Sequence, residues 1–171
     1  MSILEVLTYP DRFLGQPTKA VENIDGKIQK IIDNMAETMY DAPGAGLAAI
    51  QVGFDKRIIV YDALPGETEK SLQVLLNPEI LESDGEIISE NEGCLSVPDF
   101  RSDVKRSSIV LVEGIDREGN PLKIEVEGYL AIVLQHEIDH LNGILFIERI
   151  SSLKRELYKR QIKKKLRKSE E

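Results

Sequence analysis

Long apolar stretches are missing from this sequence. The longest uninterrupted run is residues 130–134, far short of the roughly 20 residues that a membrane-crossing helix needs. Cysteine is nearly missing too: a single thiol, Cys94, excludes an internal disulfide and by itself reads as a small buried hydrophobe. Histidine is confined to His136 and His140. There is no internal repeat, no low-complexity segment and no Gly-, Ser- or Pro-rich linker, so the 171 residues read as one soluble globular domain. The opening residues carry no basic leader, and Glu5 interrupts their apolar character, which argues against a secretory signal. The expectation is a cytoplasmic chain with neither membrane nor DNA as a partner.

Negative charge dominates overall, at −8, but it is unevenly spread. Residues 151–171 hold nine Lys and Arg against three acids, whereas residues 1–150 hold thirteen against twenty-seven. An acidic body with a basic tail suggests contact with something anionic such as RNA, or equally a solvated helix lying against its own body. The division expected is a single catalytic domain over 1–150 and a basic C-terminal helix over 151–171, packed on the domain or projecting from it.

Both histidines fall within Gln135-His136-Glu137-Ile138-Asp139-His140. Four residues is slightly more than a helical turn, so the two imidazoles share one side of a helix, with the carboxylate of Glu137 next to the first. Such a His-Glu-x-x-His pattern is a metal site with its own base. The apolar run 130–134 just before it predicts a buried helix over 129–142, stopped by Gly143. Ionisable groups on a buried helix need partners, and a divalent cation supplies one.

Upstream, Asp25 caps a predicted helix whose apolar positions Ile28, Ile31, Ile32, Met35 and Met39 follow three-and-four spacing and end before Pro43. Gly44-Ala45-Gly46-Leu47-Ala48-Ala49-Ile50-Gln51 is too small-residued for an ordinary strand. It reads either as a tight turn or as a place where another backbone comes close. Strands are predicted at 57–61 and 73–76, the latter ended by Asn77-Pro78, with short ones at 80–81 and 87–88 and a hairpin at 108–114 and 122–126. Ser151 caps a final helix to about residue 168 with a narrow stripe of Leu153, Leu157, Ile162 and Leu166.

A catalytic metal site has three protein ligands and an open position. Beyond His136 and His140, the third ligand is sought in Cys94, a soft thiolate in the glycine-flanked Glu92-Gly93-Cys94-Leu95-Ser96, or in Glu156. Together, the segments 44–51, 92–96 and 135–140 resemble the three motifs of the peptide deformylases, in order and spacing, over about residues 1–150. The resemblance implies an α+β fold in which a central buried metal-binding helix is surrounded by small antiparallel β-sheets and followed by a C-terminal helix. It implies metal ligation by Cys94, His136 and His140, and release of formate from the N-formylmethionine end of nascent proteins. Glu137 would move the proton, while Gln51 and the backbone N–H of Leu95 would meet charge on the formyl oxygen. Ligand softness favours Zn2+; the resemblance implies Fe2+ in vivo, with Zn2+, Ni2+ or Co2+ possible in a purified sample.

For the substrate, Tyr129, Ile132 and Val133 precede His136 by one to two turns, and form either a methionine pocket or ordinary core. Gly44, Ala45 and Gly46 suit pairing with an extended peptide. Ala45 stands where the family more often carries a larger branched residue. Arg101 either borders the pocket or is a plain surface arginine. Two rivals stand beside this reading: a zinc endopeptidase using His136, His140 and Glu156, and a non-catalytic module that binds ribosomes or RNA through its tail.

Overall fold

In the computed structural model, which describes residues 2–170, the first helix begins where the sequence places it. Asp25 Oδ1 accepts the Ile28 N–H at 3.0 Å, satisfying one of the orphan donors of the first turn. Helix α1 runs Gly26–Asp41 and buries Ile28, Ile32, Met35 and Met39.

Seven strands follow among the described residues: β1 (Gly46–Ala48), β2 (Ile58–Asp62), β3 (Leu72–Asp84), β4 (Ile87–Cys94), β5 (Val97–Arg106), β6 (Ile109–Ile115) and β7 (Pro121–Glu127). Five make one antiparallel sheet in the order β1-β2-β3-β6-β7, while β4 and β5 form a separate hairpin. Helix α2 (Tyr129–Leu141) carries both histidines, and helix α3 (Ser152–Ser169) closes the chain. The fold is thus mixed α/β with antiparallel sheets and three helices. No helix among the described residues is long and apolar enough to cross a membrane.

Strand β2 explains how the layers are held. Its alternating side chains are buried on both sides, because Ile59 and Tyr61 join a core with Leu134, Ile138 and Leu141 of α2, whereas Ile58 and Val60 join Ile32, Met35 and Met39 of α1. Each such aliphatic side chain contributes roughly 1.5–3 kcal/mol by leaving water. A third cluster of Leu14, Val97, Val104, Phe146 and Tyr158 fastens the β4–β5 hairpin to the segments that follow α2. The sheet therefore fixes one side of α2, and the hairpin approaches from the other.

Four expectations need correction. Asn77-Pro78 does not end the second strand; β3 continues to Asp84 through a register shift. Asn77 adopts φ +52°, its Oδ1 accepts the Val21 N–H at 2.7 Å and its Nδ2 donates to the Val21 carbonyl at 3.0 Å, so side-chain bonds replace lost ladder bonds. The segment 46–48 is a strand despite its small residues, since β2 supplies its register. The short strands at 80–81 and 87–88 belong to β3 and β4, and β5 had no local signal because its outward residues are polar and its inward ones include Ser102 and Arg106. On α3, Ser151 Oγ does cap Lys154 N–H at 3.3 Å, but Leu153, Leu157 and Leu166 are exposed. The buried contact is Tyr158, whose ring centroid lies 4.8 Å from Phe100 and 5.6 Å from Tyr9, with Ile162 beside it. A large ring on the neighbouring face outcompetes the leucine stripe.

Candidate functional site

The end of β4 and one face of α2 bring three donor atoms together. Cys94 Sγ lies 3.3 Å from His140 Nε2, which lies 3.2 Å from His136 Nε2, and all three atoms fall within 4.8 Å of one another. An ion about 2.0–2.3 Å from each of three tetrahedral donors needs them roughly 3.3–3.6 Å apart; both separations from His140 match this, and with the third within 4.8 Å the group could hold a divalent cation. Glu156 is exposed on α3 and stands outside this group, so its alternative role as third ligand fails on geometry.

The orientation of His136 is fixed from behind. Its Nδ1 lies 2.6 Å from Glu92 Oε1; a carboxylate can only accept here, so Nδ1 carries the proton and Nε2 keeps its lone pair for the donor cluster. Glu92 in turn is gripped by the Nε and Nη2 of Arg106, whose Nη1 donates to Asp139 Oδ2 at 3.0 Å. Arg149 completes the chain, with Nε and Nη2 donating to the two Asp139 oxygens at 2.6 and 2.7 Å. Glu92, Arg106 and Asp139 are all buried. Asp139 thus commits its carboxylate to two arginines and bonds neither histidine directly.

Electrostatics follow this wiring. Burial works to raise the Glu92 carboxyl, but hydrogen bonds from His136 and Arg106 outweigh it and hold the group down at about 2. For His136, burial pushes downward while Cys94 and Glu92 push upward and win, leaving it raised. His140 is lowered by burial and by His136 beside it. The same neighbours, Cys94 and Glu92, that raise His136 favour a cation at this point, where a metal would take the place of a second ring proton on Nε2.

Glu137 sits beside this cluster, and burial, assisted by Glu92 and Asp139, pushes its carboxyl up to about 7. Its Oε2 has no hydrogen-bond partner among the described residues. Gly46 makes room for it: a Cβ there would lie 2.9 Å from Glu137 Cγ. Gln51, on a 3-10 turn (Ala49–Val52) after β1, accepts the Ala48 N–H through Oε1 at 2.9 Å. That bond leaves Nε2 facing Cys94 Sγ at 3.6 Å and Ser96 Oγ at 3.2 Å, so the amide's donor end is aimed at the cluster.

Above these groups opens a cleft of about 810 Å³. Its lining includes Gly44, Ala45, Gly46, Gln51, Cys94, Leu95, Arg101, Tyr129, Ile132, Val133, His136 and Glu137, while His140 lies behind the wall. Tyr129 is 56 % exposed at the rim, whereas Ile132 and Val133 are nearly buried, and Val133 also belongs to the core. Arg101 folds over Gly93, where a Cβ would meet its guanidinium at 2.9 Å, and its Nη1 donates to the Asn91 carbonyl at 3.3 Å. The sequence reading did not single out Glu92, Arg106 and Arg149, which join in the hydrogen-bonded chain behind His136. For Glu92 there was a signal, a carboxylate inside the same short motif as Cys94; the arginines lie in segments with no local pattern.

The sequence model of the family described as "Polypeptide deformylase" matches residues 3–156. A peptide deformylase of Desulfosudis oleivorans is 53% identical over 167 residues, 98% of this chain and 96% of that protein. The crystal structure of a peptide deformylase from Legionella pneumophila superimposes with a TM-score of 0.88 at 45% identity, covering 98% of each chain. A Met-Ala-Ser-bound class I type b peptide deformylase from Acinetobacter baumannii superimposes with a TM-score of 0.82 at 37% identity, covering 88% of this chain and 100% of that one.

Proposed function

The chain belongs to the peptide deformylase family, and from that premise we propose how its own side chains remove the N-formyl group from nascent peptides. The observation that carries the assignment is the convergence of Cys94 Sγ, His136 Nε2 and His140 Nε2 beside Glu137, with Cys94, His136 and Glu137 lining one cleft and His140 behind them. These three residues would hold one divalent cation, whose contribution when bound is Lewis acidity toward water and toward an amide oxygen. The family resemblance supports Fe2+ in vivo; thiolate and imidazole donors also accept Zn2+, Ni2+ or Co2+ in a purified sample.

The rest is done by the protein. Glu137 accepts a proton from the attacking water as its oxygen bonds to the formyl carbon. The same carboxyl returns that proton to the amine nitrogen as the C–N bond breaks, leaving formate and a free amino terminus. The Gln51 amide N–H and the Leu95 backbone N–H donate to the formyl oxygen as charge builds there. An extended peptide lies along Gly44, Ala45 and Gly46, because β1 is an edge strand with an unpaired side. The methionine side chain enters between Ile132 and Val133 with Tyr129 at the rim, and Arg101 borders the exit. The Met-Ala-Ser bound to the Acinetobacter baumannii relative supports a cleft that takes the methionyl terminus of a peptide.

Residues 1–150 form the catalytic unit in this reading, acting in the cytoplasm, and 151–171 the basic helix appended to it. That helix turns its cations outward and is the proposed contact with the ribosome. The endopeptidase alternative loses its third ligand, and membership of an enzyme family removes the purely non-catalytic one. Formate release from formyl-Met-Ala by anaerobically purified protein tests the assignment against Glu137→Ala. The variant is expected to keep its metal and lose turnover; turnover equal to the parent would overturn the role of Glu137.

A further inference from the structure

The short turn after α2 touches His136 by two routes. Phe146–Arg149 is a single turn of 3-10 helix, in which residues three apart point the same way. At its start, the Phe146 ring stacks on the His136 imidazole, with centroids 6.3 Å apart and planes 26° off parallel. At its end, Arg149 reaches the Nδ1 edge of that imidazole through Asp139, Arg106 and Glu92.

We propose that Arg149, outside all three sequence motifs and outside the lining of the cleft, is a positioning residue for the metal-binding nitrogen of His136. The inference rests on the metal seat proposed above. Its physical basis is the rigidity of guanidinium. Arg106 grips Glu92 along one edge and Asp139 with its other end, and because the group is planar, a tilt at one end moves the other. Asp139 is wedged between two such forks, its Oδ2 shared by Arg106 Nη1 and Arg149 Nε. Two carboxylates and two guanidiniums balance in charge. Without Arg149, Asp139 has Arg106 alone, the balance shifts by one negative charge, and the pull on Arg106 is redirected away from Glu92.

Access to solvent makes Arg149 the vulnerable end. A polar hollow of about 360 Å³ behind α2 is lined by Arg106, Asp139, Arg149, Gln135 and Ser107. The Arg149 side chain is 43 % exposed where those of Arg106 and Glu92 are 2 % and 6 %. It covers one side of Asp139, and its loss exposes that carboxylate more widely to the hollow. Gln135 does not compensate, since its amide is committed to both backbone groups of Ser107 at 2.8 and 3.0 Å.

The test compares the full-length parent with Arg149→Ala and Arg149→Lys in two measurements: Co2+ affinity by chelator competition, and the imidazole N–H resonances of the metal-free protein. Arg149→Ala should weaken Co2+ binding by about tenfold, at the low end of what outer partners of ligating histidines contribute, and should broaden the His136 Nδ1–H resonance, with KM for formyl-Met-Ala within twofold. Arg149→Lys keeps the charge without the fork and should lose about threefold; it carries the test if the alanine variant does not fold. A lower melting temperature with parent-like affinity and an unchanged N–H resonance would reduce Arg149 to ordinary structural support and overturn the proposal. A parent that binds no Co2+ would overturn the metal seat itself, and the resonance would still decide the positioning claim.

Discussion

Gly46 and Glu137 are in contact: a Cβ built on Gly46 would stand 2.9 Å from Glu137 Cγ and 3.0 Å from its Oε1. The glycine is required by its neighbour, since β1 is regular strand there and its backbone would accept any residue. Gly46→Ala should therefore fold, yet push the Glu137 carboxylate away from the cluster. A displacement near an ångström at a reacting group costs about a hundredfold in turnover. Steady-state formate release with a parallel thermal melt would measure it. Turnover within twofold of the parent would mean that Glu137 moves aside without consequence.

Metal retention separates Cys94 from Glu156. Cys94→Ala removes one of three converging donors and should lose bound metal during chelator dialysis under conditions in which the parent retains it. Glu156→Ala, an exposed change on α3, should retain metal like the parent. Metal analysis after dialysis reads both. Retention by Cys94→Ala together with loss by Glu156→Ala would reinstate the endopeptidase ligand set.

Much of the candidate site was legible because the groups that converge there sit in short, dense segments. His136, Glu137 and His140 announce themselves through helical spacing, and Cys94 through being the sole thiol beside a glycine. The supporting shell was not legible, for a physical reason: Arg106 meets Glu92 across fourteen residues and Asp139 across thirty-three, and long-range ion pairs leave no periodic trace. The fold shows the same division. Helix α1 follows from its cap and apolar spacing, whereas β5 hides because its inward positions include Ser102 and Arg106, polar residues paired only in three dimensions. On α3 the leucines suggested one face and Tyr158 set another, since the docking surface offered by Phe100 and Tyr9 lies elsewhere in the chain.

Phe146 serves stability and geometry together. It is 1 % exposed, packs with Val97, Val104 and Tyr158, and stacks against both Phe100 and His136. Phe146→Ala should destabilise the protein by about 3–5 kcal/mol through lost burial and the cavity left behind. Chemical denaturation of the metal-free protein checks this without interference from metal binding. A loss below about 1 kcal/mol would show that the third cluster collapses around the gap.

The basic helix offers the last separation, between packing and contact. Tyr158 is 2 % exposed and joins α3 to Phe100, a residue of the cleft wall, and Lys165 pairs with Asp99 on the same wall at 3.0 Å. Removing all of 151–171 would therefore disturb the cleft as well as the tail. The cleaner change reverses exposed cations that make none of these contacts: Arg160→Glu, Lys163→Glu and Lys164→Glu. These shift the net charge of the helix by six units while leaving Tyr158, Ile162 and Lys165 in place. Formyl-Met-Ala turnover should stay within twofold of the parent, because no substituted residue lines the cleft. Affinity for ribosomes, measured by co-sedimentation at low ionic strength, should fall at least about tenfold, given that each cation near a dense anionic surface contributes on the order of 1 kcal/mol, and the difference should shrink as salt rises. Ribosome binding equal to the parent's would assign the cations to solubility alone, whereas a matching fall in turnover would mean that the outer face of α3 reaches the cleft after all.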